Sequence, residues 1–404
     1  MEIFGKVSRD IDFVRCAMKR KLKVIRVVTT SECVPWHMGN TLTRITKDFD
    51  VCIVGEGVSV YKNAYPNVDW VDISINRKIS PLSDLITIYN LCKLFHGYKP
   101  DIVHSIMPKA GLLTAISSFI CRVPLRVHTF TGQVWATKVG ISRFFFRVLD
   151  KLIVKLNSVC LTDSPSQSNF LYEQSISFNG MPLQVLLKGS LSGVDISRFS
   201  KLRVEKESRV LRTELGIAKS DFVFAFIARK SFDKGAFDII NAFSRIVKSH
   251  ANVKLLFIGP DESDGGVEKL IKTYPLVEQS IFNIGKVSNH EVYLAITNVL
   301  CLPSYREGFG SIVIDAAAMG VPTIGSRIPG LADSIIDKQT GMLFTKGNID
   351  ELVSQMQFFV ENPEMCKKMG ECAKSRVDEF FTADRLYIAL KELYLSFSKG
   401  NLEF

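Results

Sequence analysis

Residues 298–325 read NVLCLPSYREGFGSIVIDAAAMGVPTIG. An apolar run, NVLCL, stops at Pro303, and a polar loop holding Gly308 and Gly310 follows. The stretch IVIDAAAMG then has helical composition, and a second apolar run begins at Val321. Two buried strands separated by a helix-length segment read as a parallel pair, because parallel strands need a crossover where antiparallel ones need only a turn. The same rhythm runs outward in both directions. Apolar runs stand at 222–228 and 253–258 in the second half, and at 23–29, 50–54, 100–104, 125–129, 158–162 and 183–187 in the first. Continuous apolar strands alternating with helices specify parallel sheets covered on both faces.

The chain has 404 residues and is 47% apolar, enough for about two domains and far from disordered or collagen-like composition. The strand–helix rhythm pauses between Gly193 and Lys219, where charged residues thicken. The expected organisation is two doubly wound, Rossmann-like α/β domains facing a central cleft: residues 1–195, residues 196–383, and a C-terminal helix over 384–404 crossing back to the first domain. Ligands of such sheets bind outside the carboxyl ends of the strands, so the cleft is the default site.

The loops at those ends carry the chemistry. The strand at 222–228 is followed by Arg229 and, after a short turn, by Lys234 before a helix. Two cations beside a helix N-terminus favour a diphosphate. After NVLCL, Gly308 and Gly310 allow close backbone approach to a ligand. Glu307 and Asp315 lie about two helical turns apart and can hold different hydroxyls of one elongated polyol. Each acid also has a purely structural use, Glu307 as a helix cap and Asp315 as a surface helix residue. His128, in LRVHTFTGQVWAT, stands at the end of a strand and before a Gly-containing loop, the place for a cleft-facing group, although a lone histidine there is more often structural.

These segments resemble the retaining glycosyltransferases of family 4, which have the two-Rossmann GT-B fold. The matching pieces are GVDISRF (193–199), ARKSFDKGAFDIINAF (228–243), LLFIGPDE (255–262), IGKV (284–287), LPSYREGFGSIVIDAAAMGVPTIGSRIPGLADSI (302–335) and TGMLF (340–344). The resemblance implies that Arg229 and Lys234 hold the diphosphate of a nucleotide-sugar donor. Glu307 would bind the sugar hydroxyls, with the backbone of Phe309, Gly310 and Ser311 beside it. Asp315 takes the place of the ribose-binding acid, one methylene shorter than the usual Glu. Gly285, Lys286 and Val287 would meet the base, and His128 the donor sugar. The loop TTSECVPWHMGN has only Gly39 where many relatives are Gly-rich, so Pro35, Trp36 and His37 are expected to shape an acceptor pocket, with Lys109 meeting an acceptor phosphate. The variant resembles members that build bacterial surface polysaccharides on polyprenyl diphosphate-linked saccharides.

The implied reaction retains anomeric configuration and draws on a UDP-sugar or, second, a GDP-sugar. The cations placed for the diphosphate do the work of a metal, so no metal and no cofactor beyond the nucleotide-sugar co-substrate is expected. A non-hydrolysing nucleotide-sugar 2-epimerase of the same fold and a non-catalytic membrane-surface scaffold are the alternatives.

The net charge of +10 lies wholly in residues 1–190, with 24 Lys/Arg against 14 Asp/Glu; the rest has 27 of each. In KVGISRFFFRVLDKLIVKLN (138–157), Arg143, Arg147, Lys151 and Lys155 recur every four residues, with Phe144 and Phe145 among the apolar flanks. That pattern fits a helix lying on an anionic membrane surface, and Arg15, Lys19, Arg20, Lys21 and Lys23 add to it. An ordinary helix with a solvated basic face is the competing reading. No nucleic-acid-reading module is present, so nucleic acid is not an expected partner. Nine cysteines without a Cys-x-x-Cys pair suggest a reducing compartment. Lys6, Arg9, Asp10, Asp12 and Arg15 interrupt any signal-peptide core, and no run is long enough to span a bilayer. The expected location is cytoplasmic, peripheral at the inner face of the cytoplasmic membrane.

Overall fold

The computed structural model describes residues 20–76 and 78–398; the readings placed on Lys6, Arg9, Asp10, Asp12, Arg15 and Lys19 lie outside the described residues. Seven strands form the first sheet: β1 (Leu22–Thr30), β2 (Phe49–Glu56), β3 (Asp69–Asp72), β4 (Ile102–Ile106), β5 (Leu125–Phe130), β6 (Val159–Thr162) and β7 (Gln184–Val185). Six form the second: β8 (Phe222–Ile227), β9 (Val253–Ile258), β10 (Ile281–Ile284), β11 (Val299–Leu302), β12 (Thr323–Ser326) and β13 (Gly341–Phe344). The orders are β3-β2-β1-β4-β5-β6-β7 and β10-β9-β8-β11-β12-β13, parallel throughout. Both sheets are therefore doubly wound, each with its order reversing between the first and fourth of its strands.

Side-chain alternation builds a core on each face. In β1, Val24 and Val28 enter one cluster while Ile25 and Val27 enter another. In β8, Val223 and Ala225 separate from Phe224 and Phe226 in the same way. Buried on both sides, these strands carry little polar alternation, which is why they read as uniform apolar runs.

The chain enters the second domain at Val194, whose N–H donates to the Phe381 carbonyl at 2.8 Å while Ala383 N–H donates back to the Val194 carbonyl at 2.8 Å. The two crossings between domains thus run side by side. From there the helix Ala383–Ser398 returns to the first domain. Arg44 bonds Asp384 at 2.5 Å, Lys391 pairs with Asp48 at 2.9 Å, and Tyr394 is buried in the first-domain core.

Candidate active site

The switch point of the second sheet lies between β8 and β11, so the loops leaving those strands are neighbours. A Cβ on Gly235 would lie 2.1 Å from the Pro303 carbonyl oxygen, Tyr305 N–H donates to the Asp233 carbonyl at 2.9 Å, and Phe232 stacks on Tyr305 at 4.9 Å. This packing places Lys234 Nζ 2.6 Å from Glu307 Oε1, which also accepts from Ser304 Oγ at 2.9 Å. Arg229 donates to Asp233 at 3.1 Å and pairs with Glu262. Burial would raise the Asp233 carboxyl, but the Ser231 hydroxyl and Arg229, Lys234 and Arg306 hold it below its ordinary range. Lys230, adjacent in sequence, turns inward to Asn283 at 2.5 Å and the Ile284 carbonyl at 2.7 Å, and burial lowers it to about 8.

Gly310 adopts φ 79° and starts the helix Ser311–Ala318. Phe309 is buried against Phe381 at 5.3 Å, anchoring the loop from beneath and leaving its backbone beside Glu307. Asp315 Oδ2 lies 3.1 Å from His290 Nε2, and the His290 ring packs on Phe199 at 5.2 Å. Gly285 and Lys286 are exposed, while Val287 packs on the domain core. Lys286 Nζ reaches across the cleft to within 3.9 Å of Glu32 Oε1, just beyond β1.

The first domain meets this loop at β5 and β6. A Cβ on Gly132 would lie 2.8 Å from the Glu307 carbonyl carbon, and Arg306 donates to the Gly132 carbonyl at 2.8 Å. Ser164 Oγ donates to the Gly308 carbonyl at 2.9 Å; Ser166 Oγ donates to Asp333 at 2.5 Å and accepts from Gly330 N–H at 2.7 Å. Asp163 is packed so tightly on Gly308 that a Cβ there would come within 2.0 Å of its carboxylate. Burial, then Glu307 and Asp333, push the Asp163 carboxyl well above its usual range. Sequence reasoning passed over Asp163, Ser164, Ser166, Arg306 and His290, because each acquires meaning only through a partner more than twenty residues away.

His37 closes the short helix Cys33–His37 after β1. Burial, Arg26 and Lys234 lower its imidazole to about 4, leaving it neutral with Nδ1 buried and unpartnered. Lys109 is held elsewhere, bonding Asp84 at 2.5 Å and the Lys78 carbonyl at 3.2 Å, so its ammonium is already satisfied within its own domain.

His128 corrects the expectation of a cleft-facing group. It is 1% exposed, and strand alternation turns it beneath the helix Pro108–Ile120, where a Cβ on Gly111 would strike its ring. Ser105 Oγ lies 2.9 Å from Nδ1, and burial lowers the imidazole to about 3. Thr131 and Gly132, beyond the strand, carry the chain to Glu307 instead.

The helix Gly140–Leu156 requires a second correction. Arg143 donates to Gln174 Oε1 at 3.1 Å, Arg147 donates to the Gln174 carbonyl at 2.6 Å, and both guanidinium groups lie over Trp135, within 5.9 Å of its ring centre. They face the protein, because the buried Trp135 offers a ring that a guanidinium covers well. Lys151 and Lys155 remain exposed beside an outward apolar stripe of Ile141 (89% exposed), Phe144 (67%), Phe145, Val148 and Leu152. No helix among the described residues is long and apolar enough to cross a membrane.

Two doubly wound, parallel-sheet domains meeting at the Glu307 loop have the GT-B architecture. Residues 207–376 match the family model described as "Glycosyl transferases group 1", and that span is a group 1 glycosyltransferase domain. The chain is 28% identical to the capsular polysaccharide biosynthesis glycosyltransferase CapM of Staphylococcus aureus, over 93% of this chain and 98% of that one. It is 22% identical to a UDP-Gal:alpha-D-GlcNAc-diphosphoundecaprenol alpha-1,3-galactosyltransferase of Escherichia coli, over 83% and 88% respectively. Among solved structures, Anabaena Alr3699/HepE in complex with UDP-glucose superposes with a TM-score of 0.75 at 17% identity, covering 93% of this chain and all of that one.

Proposed function

We propose that the protein transfers a sugar from a nucleotide sugar, a UDP-sugar first, to a lipid-linked saccharide in the assembly of a surface polysaccharide. The observation that carries this reading is the Lys234–Glu307 pair at 2.6 Å, with the Glu307 backbone against Gly132 of the other domain. An anionic diphosphate draws Lys234 and Arg229, freeing Glu307 to accept hydrogen bonds from sugar hydroxyls. Charge developing on the departing nucleoside diphosphate is met by these cations without need of a metal ion. The leaving phosphate oxygen takes the acceptor hydroxyl's proton as that hydroxyl attacks from the same face, so anomeric configuration is retained. Asp315, with His290 beside it, meets the ribose, and the 285–287 backbone meets the base. His37 and the exposed Trp36 flank the acceptor side.

CapM bears a capsule-biosynthesis name and the Escherichia coli relative a UDP-sugar and a diphosphoundecaprenol acceptor, which supports the substrate classes. A lipid-linked acceptor is met at a membrane, and the outward stripe of Ile141, Phe144, Phe145, Val148 and Leu152, edged by Lys151 and Lys155, is the surface proposed to lie on anionic lipid. Incubation with a panel of UDP- and GDP-sugars and polyprenyl diphosphate-linked saccharides, read by product mass, tests the reading. An acceptor heavier by one sugar supports it. Release of an epimerised nucleotide sugar without acceptor would assign the epimerase alternative, and donor binding without any product would assign the scaffold.

A further inference from the structure

The first domain carries a charge buried in its core. Arg26 lies in the middle of β1, 1% exposed, on the face that Val24 and Val28 share. Among the described residues, neither its Nε–H nor its Nη1–H finds an acceptor. Burial lowers its affinity for the proton, and the one neighbouring group that opposes this is Tyr394. That phenol is itself pushed up to about 12 by burial and is neutral. A guanidinium does not escape burial by losing its proton. A charge in this position is tolerated only with a counter-charge or strong hydrogen-bond partners.

Arg26 lines a cavity of about 20 Å³ together with Thr129, Thr162 and Ser190. The hydroxyls can be accounted for proton by proton. His104, buried and kept neutral, stands between Tyr394 Oη at 2.7 Å and Thr129 Oγ1 at 2.7 Å. Three protons serve those two bonds, so one hydroxyl hydrogen is left over: that of Thr129 when His104 carries its proton on Nε2, that of Tyr394 when it carries it on Nδ1. Ser190 Oγ accepts from Gly193 N–H at 3.1 Å, and its own hydrogen is likewise uncommitted. Thr162 already donates to the Ser164 carbonyl at 3.0 Å. Among the described residues, the wall presents the Arg26 charge and hydroxyl groups, and no carboxylate. The space suits one water-sized occupant and excludes sulfate or phosphate.

We infer that this cavity is a binding site for a single monoatomic anion, chloride under ordinary conditions, held by Arg26, Thr129 and Ser190. Leu186, Ser190 and Leu191 belong to the passage toward the second domain, and Leu386 and Leu390 to the helix that returns from it; all line the same cavity. The anion would thus bind together both crossings between the domains and the sheet beneath them. This inference is independent of the proposed transfer reaction.

Crystals of the full chain grown with bromide in place of chloride give a direct test. A bromide anomalous peak within hydrogen-bonding reach of Arg26 is expected. A water at that position, or bromide found only at the protein surface as an adventitious ion only, overturns the site. In solution, the thermal midpoint of the wild type should rise in sodium chloride relative to sodium gluconate at equal ionic strength, and Arg26→Met should lose that difference. An equal shift in both proteins, or none in the wild type, also overturns it.

Discussion

Glu307 accepts from two donors, Lys234 and Ser304, and an amide oxygen can accept from both, without the ionic attraction to Lys234. Glu307→Gln should therefore fold normally and lose roughly 10²–10³-fold in kcat, the cost of removing one group aimed at developing charge or a reacting sugar; circular dichroism and initial rates check the two halves of that statement. His128 makes a different kind of prediction. Its imidazole is lowered to about 3 in the folded protein, whereas an unfolded chain protonates near the ordinary value of about 6.5. Between those values the unfolded state binds the extra proton, so His128 removes stability as pH falls below about 6.5. Relative to His128→Gln, the wild type should lose up to about 1.4 kcal/mol per pH unit on acidification, measured by urea unfolding at several pH values. A pH-independent difference would contradict the buried, neutral histidine. The structure brings Lys234 and Glu307 together across 73 residues, because the loops carrying them leave the neighbouring strands β8 and β11. His128 was misjudged because a strand residue's direction depends on which face the next helix covers, and sequence leaves that parity open.

Among the elements, the long central strands were plain as apolar runs, but β3, β10 and β13 were not identified as strands. Each has four residues; β3 and β10 are only half-covered edges, so they lack the uninterrupted apolar signature. The helix Gly140–Leu156 was visible as amphipathic, yet its basic stripe divides: Arg143 and Arg147 turn to the protein while Lys151 and Lys155 stay exposed, against the reading of four cations outward. Its exposed stripe predicts that Ile141→Ser with Phe144→Ser weakens binding to anionic vesicles at least about tenfold, since each large apolar side chain contributes roughly 1.5–3 kcal/mol when buried. Vesicle sedimentation measures this, and unchanged binding would remove the helix from the membrane surface. Arg147→Gln should instead lower thermal stability while leaving vesicle binding within about twofold, because its guanidinium is spent on Gln174 and Trp135.

At the scale of the whole molecule, two sheets of the same winding present their switch points to one another, and the helix Ala383–Ser398 ties them together. Tyr394, fully buried, is its anchor. Tyr394→Ala should destabilise the protein by about 3–5 kcal/mol, as for other buried aromatic truncations, with the loss seen in chemical denaturation. The two-domain plan was readable from the rhythm of strands; the seam of Asp163, Ser164 and Ser166 against Gly308, Gly330 and Asp333 was not, since it joins segments about 150 residues apart. That seam brings the Glu307 loop against the first domain, and transfer between substrates held on opposite domains is the central claim. Its most direct measurement is the mass of a polyprenyl diphosphate-linked saccharide after incubation with a nucleotide sugar. The account predicts a gain of one sugar with the wild type and none over the same period with Glu307→Gln. An unchanged acceptor across the full panel of donors, or a Glu307→Gln variant that works at near-normal rate, would contradict it.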